Sequence, residues 1–312
     1  MPQSEVVPGL VVRTQSGFFD VETTRGEIRA RLASSLTRGR RKGDAVALGD
    51  RVGLRVAPDR SAEVESVEPR LRSLRRRAPG AEREQILVAN PDQALFVFAC
   101  RQPDPNFGLL DRYLVAAEQQ GIPARICLNK IDLGVSEAVR MRFEGYRGLG
   151  YPVDTTSAET GEGIPELARA LAGVLTVLSG LSGSGKSSLI NRLRPDLSLR
   201  TGEVSLRSGA GRHTTVFSEL LALPGGGYVA DTPGLRDFGL WDIEPSELDG
   251  YFPEMRDRIA GCEFRDCSHT HEPGCAIRAA LDQGLIHRDR YASYVNMLSG
   301  GTKKPAPPTN RA

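Results

Sequence analysis

Two short segments contain the residue types that bind nucleotide phosphates and that recognise a purine base. The segment Gly180–Ser187 fits the pattern Gly-x4-Gly-Lys-Ser, in which glycine N–H groups and a lysine surround phosphate oxygens. The segment Asn129–Asp132 reads Asn-Lys-x-Asp, and its aspartate can accept hydrogen bonds from the ring N–H and the 2-amino group of guanine. Adenine would leave that carboxylate unpaired, at a cost of about 2–5 kcal/mol. Together the two patterns predict a site for GTP and GDP.

A third segment, Asp231–Gly234, has the Asp-x-x-Gly pattern that senses the γ-phosphate. Its aspartate would hold Mg²⁺ through water and its glycine N–H would contact the γ-phosphate, while Ser187 would ligate Mg²⁺ directly. Between the two phosphate motifs, Thr214 and Thr215 both qualify as the switch threonine that ligates magnesium, and the sequence does not choose between them. The alternative for this stretch is a plain turn.

The residue after this motif is Leu235, where Ras-like GTPases have a glutamine that orients the attacking water. Leucine cannot orient water, so intrinsic hydrolysis should be slow unless another group positions the nucleophile. His213 is the best local candidate, and Arg212 could stabilise transition-state charge; the alternative for each is a solvated switch residue. The predicted catalytic residues are His213, Lys186, Thr214 and Thr215.

Residues that flank the motifs complete the predicted nucleotide site. Thr156, Ser157 and Ala158 follow the next strand and fit the backbone loop that supports the guanine carbonyl group. The residues predicted to bind the nucleotide are Asn129, Lys130, Asp132, Ser157, Ala158, Gly180, Gly183, Ser184, Gly185, Lys186, Ser187, Ser188, Asp231 and Gly234.

The order of these motifs is unusual. Ordinary GTPases have the phosphate loop first and Asn-Lys-x-Asp near the end, whereas here Asn-Lys-x-Asp comes first and Asp-x-x-Gly comes last. All the parts of one site are present in a rotated order. The chain is therefore predicted to contain a circularly permuted GTPase domain.

Near the C-terminus, Cys262, Cys267, His269 and Cys275 place four soft ligands within a short stretch. Such close spacing favours a tetrahedral Cys3His zinc site, structural because no position is left for water. His271 is an alternative fourth ligand, and free buried cysteines are the alternative to any metal. A reducing compartment makes a metal site more probable than a disulfide framework.

Alternating apolar runs and helical periods predict a parallel α/β sheet whose strands end at the nucleotide motifs. The predicted strands are 94–100, 124–128, 151–154, 174–179, 218–223 and 228–231; the predicted helices are 109–120, 136–147, 163–173 and one from Lys186. Residues 6–68 have short strands without helical periods, which is typical of a small β-barrel such as an OB-fold. The predicted domains are 1–72 (barrel), 73–92 (linker), 93–240 (GTPase), 241–299 (helical, zinc-binding) and 300–312 (disordered tail).

The charge distribution points to a partner. The net charge is only +2, but residues 1–80 have 16 Lys and Arg against 10 Asp and Glu. A basic N-terminal part indicates a nucleic-acid-facing end, with a solvated arginine-rich surface as the alternative. No apolar run approaches the roughly 20 residues that span a bilayer, and the first residues lack a signal pattern, so a cytoplasmic protein is expected.

The permuted order, the barrel and the Cys-x4-Cys-x-His-x5-Cys cluster together resemble the RsgA (YjeQ) family of small ribosomal subunit biogenesis GTPases, over nearly the whole chain. The resemblance implies an OB-fold, a permuted GTPase domain and a helical zinc domain, with GTP, Mg²⁺ and one structural Zn²⁺. The family's proposed catalytic histidine falls on His213, and its third switch threonine is replaced by Val216, so Thr214 or Thr215 must serve. Its zinc ligands fall on Cys262, Cys267, His269 and Cys275, which leaves His271 outside the set.

The function implied by this resemblance is binding to the small ribosomal subunit and its rRNA late in maturation, with subunit-stimulated hydrolysis of GTP to GDP and phosphate. Leu235 keeps open an alternative, a GTP-dependent RNA-binding scaffold with negligible turnover. An ATPase is a third possibility, favoured only if Asp132 does not contact the base. Neither DNA nor a membrane is an expected partner, and a monomer is the default.

Overall fold

A computed structural model describes residues 5–37, 45–57, 59, 61–77, 84–196, 218–231 and 243–300. The chain forms two compact units, one of Met1–Pro105 with Gln120–Phe238 and one of Asn106–Gln119 with Gly239–Ala312. A helix from the middle of the sequence therefore belongs to the C-terminal unit.

The strands and helices of the described residues follow one another in several runs. The strands are β1 (Glu5–Gln15), β2 (Phe18–Thr23), β3 (Gly26–Leu32), β4 (Arg51–Val56), β5 (Ala62–Val67), β6 (Ser73–Arg77), β7 (Glu84–Ala89), β8 (Gln93–Ala99), β9 (Ala124–Asn129), β10 (Val153–Thr155), β11 (Leu175–Ser179), β12 (Ser218–Ala222) and β13 (Tyr228–Asp231). The α-helices are α1 (Ser34–Thr37), α2 (Phe107–Gln119), α3 (Glu137–Gly148), α4 (Ile164–Leu171), α5 (Lys186–Leu193), α6 (Pro253–Arg256), α7 (Ala276–Asp282) and α8 (Arg288–Leu298). Short 3-10 helices occupy Ile131–Leu133, Pro245–Tyr251 and Ile259–Gly261.

The first five strands close into a barrel. β1 pairs antiparallel with both β2 and β4, β2 pairs with β3, and β5 closes the ring by pairing parallel to β3 and antiparallel to β4. Alternate side chains point inward, as the pleat of a strand requires. They form a core of Val11, Phe19, Val21, Ala30, Val46, Val52, Leu54, Ala62 and Val64. The predicted N-terminal OB-type barrel is confirmed.

The nucleotide motifs lie on a second part of the same unit, in the strand order β10-β9-β8-β11-β13-β12. Neighbours from β10 to β13 pair in parallel. The central strands β8 and β11 are buried almost throughout, because helices cover a parallel sheet and leave no polar face. The predicted α/β GTPase architecture is confirmed.

One edge of this sheet departs from the predicted parallel arrangement. β12 runs antiparallel to β13, because residues 223–227 form a tight turn in which the Leu223 N–H donates to the Gly227 carbonyl at 2.9 Å. A parallel pair would need a crossover of a dozen residues or more. β12 also pairs with β1 of the barrel, where Arg13 and Glu219 lie opposite each other and form an ion pair at 2.7 Å. The barrel and the nucleotide-binding sheet therefore form one continuous sheet of 11 strands.

The segment predicted as a linker contains a hairpin. β6 and β7 pair antiparallel as a separate two-stranded sheet, and Leu48 of the barrel bridges to Val88 of β7. The sequence predicted a linker here, but Leu74 and Val88 on the two strands are buried. The domain limits predicted from the sequence stay a prediction.

The second unit packs α2 with the C-terminal helices around Val115, Leu248, Phe252, Met255, Ile277, Ala280, Ile286 and Tyr294. A buried ion network lies beside this core. Arg290 contacts Asp111 of α2 at 2.7 Å and Glu254 of α6 at 2.6 Å. Two carboxylates for one guanidinium satisfy its fork of donors, which a buried arginine requires. Among the described residues, no helix combines the length and apolar character needed to cross a bilayer.

Candidate functional site: a nucleotide-binding loop and a cysteine–histidine cluster

The predicted phosphate loop connects β11 to α5, which is the strand-to-helix context in which such loops bind phosphate. Lys186 is buried, and its Nζ donates to the carbonyl oxygens of Gly180 and Leu181, both at 2.7 Å. The ammonium group therefore lies against the loop backbone. Ser184 and Ser187 are buried as well, and Ser188 is half-buried.

Three glycines give this loop its shape. Gly180, Gly183 and Gly185 have φ angles of 149°, 80° and 93°, a region that side chains with a Cβ rarely adopt. A Cβ on Gly180 would lie 2.2 Å from the Val97 carbonyl oxygen, and one on Gly185 would lie 2.2 Å from Asn129 Nδ2. Glycine is thus required at both positions, because the loop backbone packs directly against β8 and against Asn129.

Asn129, the first residue of the guanine motif, connects three segments of the site. The residue is fully buried at the end of β9, and its Nδ2 donates to the carbonyl oxygen of Ser184 in the phosphate loop at 3.0 Å. Its Oδ1 accepts hydrogen bonds from Thr156 Oγ1 at 3.1 Å and from the Ala158 N–H at 3.2 Å. The structure therefore brings together the predicted base-recognition motif, the predicted phosphate loop and the 157–158 loop.

Asp132 contacts the loop at residues 157–158, which the sequence predicts to support the guanine carbonyl group. Its Oδ1 accepts a hydrogen bond from Ser157 Oγ, and Ser157 Oγ in turn accepts from the Thr160 N–H at 3.1 Å. The Ile131 N–H donates to the Thr156 carbonyl at 3.2 Å, so the two loops are also joined through their backbones. This arrangement fixes the carboxylate that would pair with guanine.

Lys130 has a left-handed backbone conformation, with φ 63°, and its Nζ donates to the carbonyl oxygen of Gln102. The thiol of Cys100, directly after β8, contacts the Lys130 carbonyl oxygen at 2.9 Å. Burial raises the pKa of Cys100, so the thiol keeps its proton and can donate to that carbonyl. The strand next to β9 thereby supports the backbone of the guanine motif.

Several predicted residues lie outside the described residues. These are His213, Thr214, Thr215, Gly234 and the neighbouring Leu235; of Asp231 only the backbone is described, as the last residue of β13. β13 lies directly beside β11, so Asp231 and the phosphate loop follow adjacent parallel strands at the same edge of the sheet. The roles of these residues stay a prediction.

The second candidate site is the cysteine–histidine cluster of the C-terminal unit. One ligand atom from each of Cys262, Cys267, His269 and Cys275 lies within 4.8 Å of the others. The set has the composition and compactness of a four-coordinate zinc site, so the residues present fit Zn²⁺. The side chain of His271 is 83% exposed and lies outside this group.

The surroundings of these ligands shift their protonation. Burial opposes ionisation of Cys275, but the Arg278 N–H, 3.5 Å from its sulfur, and His269 outweigh burial and lower the pKa of this thiol. Burial is the main cause that raises the pKa of Cys267. For His269, burial disfavours the imidazolium, yet hydrogen bonds to Asp249 and Cys275 prevail and raise its pKa to about 9. A cation among these groups would favour the thiolate forms.

The sequence placed Thr156 in the base-binding loop without a role for its side chain, and it did not predict Arg192. Thr156 is fully buried and bridges Cys127 Sγ, at 3.2 Å, to Asn129. Its position just before Ser157 was the available signal. Arg192 of α5 donates to the carbonyl oxygens of Ala158 and Glu159, at 2.6 and 2.5 Å, and no pattern in the sequence marks it.

Known proteins of similar sequence cover most of this chain. The sequence model of the RsgA GTPase family matches residues 67–241. A protein named small ribosomal subunit biogenesis GTPase RsgA from Gemmatimonas aurantiaca is 46% identical over 299 residues, which cover 93% of this chain and 95% of that protein. A protein of the same name from Moorella thermoacetica is 42% identical over 293 residues, covering 93% of this chain and 96% of its own.

Solved structures with a similar fold cover the chain equally well. YjeQ from Thermotoga maritima superposes with a TM-score of 0.78 at 34% identity, over 96% of this chain and 100% of that one. YloQ, described as a circularly permuted GTPase, superposes with a TM-score of 0.75 at 29% identity, over 96% of this chain and 97% of that one. With its barrel, its permuted nucleotide motifs and these relatives, the chain belongs to the RsgA family of circularly permuted, GTP-hydrolysing enzymes.

Proposed function

We propose that this GTPase binds the small ribosomal subunit late in its maturation and that the subunit stimulates its hydrolysis of GTP to GDP and phosphate. The relatives named small ribosomal subunit biogenesis GTPase align over more than nine-tenths of the chain, which supports a role in the same process. Cytoplasmic location, a monomeric state and the absence of DNA or membrane partners belong to the same proposal.

The observation that carries the nucleotide part is the hydrogen bond from Asn129 Nδ2 to the Ser184 carbonyl. A permuted chain could contain both motifs and still hold them apart. Here the buried amide of Asn129 links the base-recognition motif to Ser184 of the phosphate loop, 55 residues later in the sequence. A guanine nucleotide can then contact both at once, which supports GTP as the substrate.

The roles assigned to individual residues extend this proposal. Lys186 and the loop N–H groups bind the phosphates, and Asp132 pairs with the guanine edge, flanked by Ser157 and Ala158. Ser187 holds Mg²⁺, together with Thr214 or Thr215 and, through water, Asp231; when bound, the ion neutralises charge on the phosphate oxygens. Gly234 contacts the γ-phosphate, and His213 positions the attacking water because Leu235 cannot.

The cysteine–histidine cluster is proposed to hold one structural Zn²⁺ through Cys262, Cys267, His269 and Cys275. Its compactness supports this assignment. All four positions of a tetrahedral ion would be filled by protein, and the ion would stabilise the loop between Cys262 and the start of α7.

The barrel is proposed to contact rRNA. On its outer face the guanidinium groups of Arg29 and Arg31 stack on the ring of Phe18, with their carbon atoms 4.9 and 4.8 Å from the ring centre. Exposed arginines next to an aromatic ring on an OB-type barrel suit phosphate and base contacts. Binding through phosphate contacts should weaken steeply with salt.

The deciding experiment measures GTP hydrolysis with and without purified small ribosomal subunits. A large stimulation is expected, and His213→Ala should lose most of it while binding GTP as before. Absence of stimulation, combined with tight GTP-dependent binding of the subunit, would instead favour the scaffold function. Full stimulation in His213→Ala would remove this histidine from the mechanism but leave the function in place.

Nucleotide choice is tested separately by competition. GTP and GDP should displace a fluorescent guanine nucleotide, and ATP should compete at least about 30-fold less well, the factor that corresponds to about 2 kcal/mol. Equal competition by ATP would contradict the role of Asp132.

A further inference from the structure

The two ring nitrogens of His269 face different partners. Nδ1 lies 3.4 Å from Cys275 Sγ and 3.6 Å from Cys262 Sγ, so this nitrogen points into the cysteine cluster. Nε2 points away from the cluster and lies 2.9 Å from Asp249 Oδ2. A tetrahedral zinc ion, with Zn–S of about 2.3 Å and Zn–N of about 2.0 Å, sets its sulfur and nitrogen ligands about 3.5 Å apart. The two distances from His269 Nδ1 to sulfur match this ligand–ligand separation.

Asp249 is itself held in place. The residue lies on the 3-10 helix Pro245–Tyr251, which is anchored by Leu248 and followed by Phe252, both buried in the core of the C-terminal unit. Its other oxygen, Oδ1, accepts a hydrogen bond from the Gly250 N–H at 2.8 Å. One carboxylate oxygen is thus occupied by backbone and the other is aimed at the imidazole.

The backbone of His269 is also held by hydrogen bonds. The residue has φ 61°, and its carbonyl oxygen accepts a hydrogen bond from Tyr291 Oη at 2.7 Å. Tyr294 Oη donates to the adjacent carbonyl of Ser268 at 3.0 Å. With the backbone held by α8 and the ring held by Asp249, the imidazole has one orientation relative to the thiols.

We propose that Asp249 is a positioning residue for the zinc site: its carboxylate accepts a hydrogen bond from the Nε2–H of His269 and thereby presents Nδ1 as the metal-binding nitrogen. This proposal rests on the zinc site proposed above and adds to it a fifth residue and a defined tautomer. A carboxylate behind a ligating histidine fixes the ring and strengthens its basicity, and loss of such a partner lowers metal affinity by about 10–100-fold.

The test measures zinc affinity of the full chain by competition with a chromophoric chelator. Asp249→Ala should weaken zinc binding by about 10–100-fold. Asp249→Asn should weaken it less, because the amide oxygen can still accept a hydrogen bond from the Nε2–H group. The control is Glu247→Gln on the same 3-10 helix, an exposed residue whose carboxylate accepts a hydrogen bond from Tyr251 Oη at 3.2 Å. It should stay within about twofold of the wild type. Unchanged affinity in Asp249→Ala would overturn the proposal.

A second measurement holds even if Asp249→Ala does not fold. Long-range ¹H–¹⁵N NMR of the zinc-loaded wild type should show His269 with a metal-bound Nδ1 and a protonated Nε2; the chain has only four histidines to assign. Ligation through Nε2 would overturn the proposal. If the wild type binds no zinc at all, the proposed zinc site itself is refuted. If the wild type binds zinc but Asp249→Ala binds it equally well, only the role of Asp249 is refuted.

Discussion

Among substitutions of uncharged side chains in the nucleotide site, Asn129→Ala should have the largest cost in stability and GTP affinity together. The amide makes three hydrogen bonds, at 3.0, 3.1 and 3.2 Å, and is fully buried. Each such bond contributes about 1 kcal/mol net, so their sum is about 3 kcal/mol, and groups left buried without a partner can add to it. This loss is divided between the free energy of unfolding and the free energy of GTP binding.

The total free-energy cost of Asn129→Ala is the sum of two measured quantities. Urea denaturation of the nucleotide-free protein gives the loss of folding free energy, and calorimetric titration with GTP gives the loss of affinity. A loss of 3 kcal/mol expressed in binding alone would weaken GTP by about 150-fold, since about 1.4 kcal/mol corresponds to a factor of ten.

Two comparisons make the reasoning refutable. Thr156→Val removes only one of the three hydrogen bonds and should cost about 1 kcal/mol in the same sum. Asn296→Ala makes the same substitution at an exposed position of α8 and should change neither quantity by more than about 0.5 kcal/mol. A summed effect of Asn129→Ala below about 1 kcal/mol, or one no larger than that of Thr156→Val, would refute the proposed connecting role.

Other predictions concern the second unit and the buried thiol. Arg290→Met should lower the free energy of unfolding by about 3–5 kcal/mol in urea, because Asp111 and Glu254 would be left buried together; exposed Arg288→Met is the control, and equal effects would contradict the reasoning. A strong zinc chelator should lower the melting temperature, added Zn²⁺ should restore it, and Cys275→Ser should abolish both responses; a melt insensitive to chelator would argue against a structural ion. Burial raises the pKa of Cys127 to about 12, so between pH 9 and 12 this thiol ionises only in the unfolded chain. Its contribution to stability is therefore complete below pH 9 and is lost as pH rises, at no more than about 1.4 kcal/mol per pH unit, and Cys127→Ala should show a shallower decline.

The sequence predicted the elements around the nucleotide best where periodicity is strong and the motif fixes a boundary. The helix expected to begin at Lys186 begins there, and the strand expected to end at Ser179 ends there. Both follow from local chemistry, since the glycines of the phosphate loop allow neither strand nor helix to continue. The cysteine–histidine set was equally visible, because its ligands are close in sequence and meet in space.

Contacts between distant segments could not be predicted in this way. Arg192 carries no motif, and the side-chain partners of Thr156 and Arg192 depend on how the loops meet. Asp249 lies 20 residues before His269, and one aspartate among many gives no sign of its partner. The β6–β7 hairpin was obscured because the consecutive arginines of β6 resemble a charge run, whereas Leu74 and Val88 on its two strands are buried. His213, Thr214 and Thr215 stay predictions from sequence alone.

The position of α2 has a consequence for how the chain is made. The helix lies between β8 and β9 in sequence, but it packs with the C-terminal unit, where its Asp111 meets Arg290 across 179 residues. At a synthesis rate of roughly 5–20 residues per second, its partner is produced roughly 10–35 s after the helix. The strands that precede and follow α2 in sequence can pair during that interval, whereas the apolar face of α2 stays uncovered until the last part of the chain is synthesised. We expect truncation after residue 238 to leave an aggregation-prone helix, and a fragment that starts at residue 239 to lack part of its own core.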